Sequence, residues 1–184
     1  MNLFIDTHLN DVSIVLHNGS EIIKVKVIEG VTENSKVIMP AIKKILNKKT
    51  PDSIIVVNGP GSFTGVRLGV TIAKTLAHTL NVPIRAISSL ECLALSVLDE
   101  GDRIVSFSDN NGYYIGFFTA ENKKFGNYEY VTNSEYEEFT EKYDVYEDLK
   151  LDFLRIINFA LKKPTINPHE LKPIYVKKLD VEKW

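Results

Sequence analysis

The stretch Asn58–Gly69, NGPGSFTGVRLG, decides how the rest of the chain is read. It directly follows the β-branched run Ile54-Ile55-Val56-Val57 and leads into a helical pattern over residues 64–80, so it is a glycine-rich strand–loop–helix junction. A Walker loop needs G-x-x-x-x-G-K-[ST]. Neither Gly59 nor Gly61 has a glycine at that spacing, and Gly65 is followed by Val66-Arg67. A dinucleotide fingerprint begins correctly at Gly59 and Gly61 but puts Thr64 where the third glycine belongs. What remains is a junction loop, Gly59, Pro60, Gly61, Ser62, Phe63, Thr64 and Gly65, in which Ser62 and Thr64 are placed to cap free amides at the helix start.

Such a helix start favours an anion by roughly 0.3–1 kcal/mol. Arg67 in its first turn opposes the helix dipole, which leaves two readings open: pairing with a neighbouring carboxylate, or a role between molecules. Along the helix, Val66, Gly69, Val70, Ala73, Leu76, Ala77 and Leu80 form one apolar stripe. A second side, Leu68, Ile72, Thr75 and Thr79, is also uncharged. Packing on the chain's own sheet and meeting a partner helix both fit this pattern.

Outward from the junction, the unalternating run Ile54–Val57 predicts a strand covered on both faces of an α/β sheet. Upstream, residues 3–6, 12–16 and 22–28 read as strands, with Asn18-Gly19 as a hairpin turn. A helix follows Thr32-Glu33-Asn34-Ser35, with Pro40 near its first turn. Downstream, residues 84–87 form a strand, and the capping box Ser88-Ser89-Leu90-Glu91 opens a helix over about 89–98. Residues 104–107 and 113–119 form a second hairpin around Asp109-Asn110-Asn111-Gly112. The acidic, tyrosine-rich region over 128–148 reads weakly, its charge run over 135–141 being a solvated helix face. A last helix covers about 149–162, and Pro173-Ile-Tyr-Val-Lys reads as a short strand or tail. The order predicts a mixed α/β sheet flanked by helices.

Composition narrows the function classes. With 44% hydrophobic and 25% charged residues the chain is globular, and a net charge of −2 provides no overall positive field for a nucleic-acid backbone. If RNA is involved, a partner supplies most of the grip. No apolar run approaches the roughly 18–20 residues of a membrane span and no signal peptide opens the chain, so a cytoplasmic location is expected. The single cysteine, Cys92, in the apolar segment LECLAL, is expected to be buried. The histidines His8, His17, His78 and His169 show no metal-ligand spacing.

The residues GPGSFTGVRLGVTIAKTLA and SSLECLA, with the opening FIDTHLNDVSIVL and the closing LKPIYVKKLD, resemble the TsaB (YeaZ) family. The likeness is strong over roughly the first 95 residues and thins afterwards. It implies an ASKHA fold, the actin and sugar-kinase architecture, with a degenerate nucleotide cleft, a complete first lobe (1–100) and a reduced second lobe with a C-terminal tail (101–184). It implies a non-catalytic subunit of tRNA threonylcarbamoyladenosine (t6A) synthesis that dimerises with a TsaD-like catalytic subunit, which a TsaE-like ATPase joins. The interface would use helices at about 35–47 and 64–80, through Ile38, Ala41, Ile42, Ile45, Arg67, Leu68, Gly69, Ile72, Ala73 and Leu76.

The same resemblance puts Asp6, Thr7 and Asp109 at degenerate phosphate-side positions, with no metal or cofactor in this subunit and ATP and metal in the partners. It allows a homodimer when the chain is alone and an indirect or weak contact with tRNA. The family's Asp-Ala-Arg-x-Gly-Glu pattern is replaced here by Asp109-Asn110-Asn111-Gly112-Tyr113, and the chain is shorter than typical members after Tyr128. Two rivals stand beside this reading. One is an ATP-binding, kinase-like phosphotransferase using Asp6 and Asp109. The other is a peptidase, which Ser62 supports poorly because no Gly-x-Ser-x-Gly elbow surrounds it.

Overall fold

The computed structural model describes residues 1–31, 34–97, 101–147 and 150–177, without the side chains of Asn34 and Ser35. The Thr32–Ser35 capping segment and the expected boundaries at Leu98 and Leu149 therefore fall on side chains or residues outside the description, as does the chain beyond Lys177.

Two mixed sheets carry the fold. The first contains β1 (Asn2–Asp6), β2 (Val12–His17), β3 (Ile22–Ile28), β4 (Ser53–Val57) and β5 (Ile84–Ile87) in the order β3-β2-β1-β4-β5. β1 to β3 form an antiparallel meander, and β4 and β5 continue it in parallel. The parallel steps need crossovers, which α1 (Asn34–Leu46) and α2 (Phe63–Leu80) supply. The second sheet orders β6 (Arg103–Asp109), β7 (Gly112–Phe118), β8 (Glu129–Thr132) and β9 (Val145–Glu147) as β8-β7-β6-β9.

β4 shows why the unalternating run was informative. Ile54 and Val56 face a core built with Ile38, Ile42, Val66, Val70 and Ala73 of α1 and α2. Ile55 and Val57 face the opposite core, closed by Ile156, Ile157 and Ala160 of α5 (Phe153–Lys162). Covering both faces forces apolar residues at every position. Truncating a fully buried residue here, such as Ile55, removes both transfer energy and contacts, at a cost of about 2–5 kcal/mol.

A third core joins the sheets. Leu90, Leu93 and Ala94 of α3 (Ser89–Ser96) pack against Val105, Phe107, Tyr114 and Phe118 of the second sheet. The expected capping box on this helix is formed, with the Ser88 side chain accepting from the Glu91 N–H and the Glu91 carboxylate accepting from the Ser88 N–H. The chain then returns: α5 and the segment to Ile174, which follow the second sheet in sequence, pack on the first, and Val176 and Lys177 reach back to the second. Ile166 bridges Ile84, and the Ile174 N–H donates to the Asn58 carbonyl at 2.7 Å.

Two local readings change, and a third is decided. Pro40 lies within α1 rather than in its first turn, where it has no N–H to give to the helix ladder. The weakly read region over 128–148 contains β8, a capped helix α4 (Asn133–Thr140) and β9. Pro173 to Lys177 forms no strand and is the tail of the two forms expected.

Candidate functional site

The glycine loop is fastened to the rest of the chain from three sides. Ser62 caps α2, its Oγ accepting from the Gly65 N–H at 3.3 Å; of the two expected caps, it alone serves. Its own N–H donates to the His8 carbonyl at 2.7 Å, in the turn between β1 and β2. A Cβ at Gly61, where φ is +150°, would stand 2.3 Å from that carbonyl, so the loop and the turn meet backbone to backbone. Thr7, in the same turn, is fully buried and donates through Oγ1 to the Gly65 carbonyl at 2.7 Å. The Gly59–Pro60 peptide is cis.

The three phosphate-side positions are all occupied by internal partners. Asp6 is 3% exposed and accepts from the His8 backbone N–H at 3.0 Å and from His8 Nδ1 at 2.6 Å. Asp109 accepts from the Asn111 N–H at 2.8 Å, the Tyr130 hydroxyl at 2.7 Å and Lys177 Nζ at 3.3 Å. Burial alone would raise the Asp109 carboxyl; these three hydrogen bonds and the Lys177 charge outweigh it and hold the group below its ordinary value. The cleft between the turn and the β6–β7 hairpin has a volume of about 460 Å³ and is lined by Leu9 to Asp11, Ser62 and Ser108 to Asn111. Among the described lining residues there are two carboxylates and no cation, an electrostatic setting that opposes a phosphate.

Within the chain, Arg67 meets aromatic rings rather than a neighbouring carboxylate. Its guanidinium lies 3.5 Å from the Phe63 ring centroid and 5.5 Å from that of Tyr175, and Nε donates to the Tyr175 hydroxyl at 2.7 Å. The charge is spent on aromatic faces that pin the C-terminal segment to the start of α2. Lys177 makes a second pin: its Nζ reaches Asp109 and donates to Tyr130 at 2.8 Å. Tyr130, Tyr175 and Lys177 are not singled out by sequence because their partners lie 21 to 108 residues away.

The helices named as a partner face divide in two. Ile38, Ala41, Ile42 and Ile45 of α1 are 0–6% exposed and belong to the core. Ala73 is fully buried, and a Cβ at Gly69 would stand 2.2 Å from Thr7 Oγ1. These six residues are corrected from contact residues to interior ones: the small-residue stripe admits the chain's own β1–β2 turn and sheet, not a second helix. Leu68, Ile72 and Leu76 are half-buried at the helix surface, beside the exposed Thr71, Thr75 and Thr79. Leu68, Ile72 and Leu76, with Thr75 and Thr79, therefore form an uncharged strip along one flank of α2, with Arg67, Lys74 and His78 beside it.

Among the described residues, no group of three or more His, Cys, Asp or Glu side chains could hold a metal ion, and no helix is long and apolar enough to cross a membrane.

The geometry defines a mixed α/β fold whose glycine junction is locked internally, and comparison with known proteins shows what the chain is similar to. The sequence model of the family described as TsaD: tRNA N6-adenosine threonylcarbamoyltransferase matches residues 30–112. A Bacillus subtilis (strain 168) protein named tRNA threonylcarbamoyladenosine biosynthesis protein TsaB is 54% identical over 61 residues, 30% of this chain and 27% of that protein. A protein of the same name from Buchnera aphidicola subsp. Schizaphis graminum is 36% identical over 102 residues, 50% of this chain and 46% of that one. The chain thus spans about a quarter to a half of the length of these curated relatives. YeaZ from Pseudomonas aeruginosa superposes with a TM-score of 0.78 at 20% identity, over 95% of this chain and 99% of that one, which establishes the shared fold. The chain is thus similar in sequence, over the stretches matched, to proteins named TsaB, and similar in fold to YeaZ.

Proposed function

We propose that the chain is a non-catalytic binding subunit of t6A synthesis, which associates with a TsaD-like transferase and supports transfer of threonylcarbamoyl to the adenosine beside the anticodon. One observation carries this reading. Every group that a nucleotide-binding relative of this fold would aim at phosphate is satisfied within the chain: Thr7 on Gly65, Asp6 on His8, and Asp109 on Asn111, Tyr130 and Lys177. A phosphotransferase built on Asp6 and Asp109 would have to break these bonds before binding its substrate. The relatives' names supply the pathway.

The partner face in this reading is the outer strip of α2, Leu68, Ile72 and Leu76 with the threonines beside them and Arg67 at its edge. A strip without charges avoids the desolvation penalty that an ionic face would incur at a helix–helix contact. A TsaE-like ATPase would join the pair and bring ATP chemistry with it, the same strip would support a homodimer when the partner is absent, and the chain itself would need no cofactor. The decisive experiment is co-purification with the TsaD-like subunit of the same organism, followed by a t6A assay with each subunit omitted. Association, together with loss of modification when this chain is left out, is expected. Full modification without it would overturn the proposal.

A further inference from the structure

The chain is slightly acidic overall, yet its cations are unevenly placed. β3 is the outer strand of the first sheet, and its register sets Lys24 opposite Leu16 and Lys26 opposite Ile14. Both lysines are therefore on the sheet face that α1 covers. With Lys44 of α1 they line a groove of about 260 Å³. Lys43 lies on the same helix, and Lys48 and Lys49 follow in the turn where Asn47 and Lys48 take positive φ. Among the described residues, none of these six ammonium groups has a carboxylate within ion-pair distance. Elsewhere among the described residues several cations are engaged, Lys163 with Glu91, Lys177 with Asp109, and Arg103 and Arg155 with backbone carbonyls, and the lysines that are not, such as Lys123 and Lys142, do not line a groove together.

Gathering like charges without counter-charges costs self-repulsion. Protection of an open sheet edge accounts for lysines on β3, but not for those on α1 and its turn. We propose that this groove binds the phosphate backbone of RNA. The groove's lining, Lys24, Val25, Lys26, Ala41, Lys44 and Ile45, presents three cations and no side-chain hydrogen-bond acceptor, which suits an anionic backbone. Lysine, a mobile point charge, neutralises phosphates without reading bases. The contact is therefore sequence-independent, weak by itself and strongly dependent on salt. The choice of RNA as occupant rests on the t6A reading above.

The test is fluorescence anisotropy with the unmodified transcript of a tRNA that reads a codon beginning with A, and with an unrelated RNA of the same length. It is run on the chain alone and on its complex with the TsaD-like subunit, from about 50 to 200 mM salt. Lys24→Glu/Lys26→Glu/Lys44→Glu should weaken binding of both RNAs by tenfold or more. Lys24→Gln/Lys26→Gln/Lys44→Gln should fall between and flatten the log–log salt slope by about 0.7–0.9 per lost phosphate contact. The control Lys123→Glu/Lys142→Glu, on the second lobe, should bind as the parent does. Unchanged affinity and slope in the triple variants would overturn the proposal. So would loss of the protein partner with RNA binding intact, which would make the groove a surface for an acidic protein. The measurement on the chain alone decides the groove even if the t6A assay shows the subunit to be dispensable.

Discussion

Thr7 Oγ1 donates to the Gly65 carbonyl at 2.7 Å and stands 2.2 Å from where a Cβ at Gly69 would be. One hydroxyl thus ties the β1–β2 turn to α2 and dictates glycine one helical turn further on.

Gly69→Ala is expected to destabilise the fold by about 1–3 kcal/mol through overpacking, read as a lowered midpoint in urea. Thr7→Ala alone loses the hydrogen bond, but in the Gly69→Ala background it makes room for the new methyl group. The double variant should therefore be more stable than the sum of the two single changes predicts. Strict additivity would show that the clash is relieved elsewhere.

Side-chain charge separates the two sides of α2. Ala73→Arg should fail to fold, because the residue is fully buried. Ile72→Glu and Leu76→Glu should keep the parent's circular dichroism spectrum and melting temperature within a few degrees, yet lose co-purification with the TsaD-like subunit. Retained association in both would remove the outer strip as the partner face.

His17 makes stability depend on pH. The ring is fully buried at the end of β2; its Nδ1 accepts from the Gly19 N–H at 3.1 Å, so the proton sits on Nε2, which has no partner. Burial, and then the N-terminal charge, lower its pKa. The folded state therefore resists protonation, and the unfolded chain takes up the proton first. Stability contributed by neutral His17 is complete above the unfolded value of about 6.5 and declines as pH falls from there toward the lower folded pKa, by at most about 1.4 kcal/mol per pH unit. Urea titrations between pH 7.5 and 5 should show this decline, and His17→Gln should reduce it. An unchanged pH slope in the variant would assign the effect to other groups.

Arg67→Ala should loosen the C-terminal segment more than it destabilises the whole. An exposed cation–π contact is worth about 0.5–1 kcal/mol, so the melting temperature should drop only slightly. Trypsin should cut after Lys177 faster than in the parent, and Tyr175→Leu should behave in the same way. Equal cleavage rates would show that the Ile174–Asn58 hydrogen bond holds the segment without the clamp.

The parts that were legible in the sequence are those in which neighbours along the chain determine the outcome. The unbroken β-branched run Ile54–Val57 announced a strand with two covered faces, and Ser88 with Glu91 announced a capped helix. The capping box Thr132/Glu135 was equally local, but it was overlooked inside an acidic stretch. The direction of the Gly69/Ala73 stripe was not legible, because periodicity defines an apolar side without naming its occupant; here that occupant is Thr7, more than sixty residues upstream. Arg67 posed the same difficulty, its partner Tyr175 lying 108 residues away. Net charge concealed the lysines around Lys24 and Lys44 because it averages over the surface.

The clasp formed by Ile174, Tyr175 and Lys177 sets an order of assembly. All nine strands among the described residues are synthesised before the residues that fasten Asn58, Arg67 and Asp109. During synthesis the first sheet can pair while the junction is still unfastened. A ribosome stalled short of residue 173 would therefore present a nearly complete chain whose cleft remains open to whatever the cell holds.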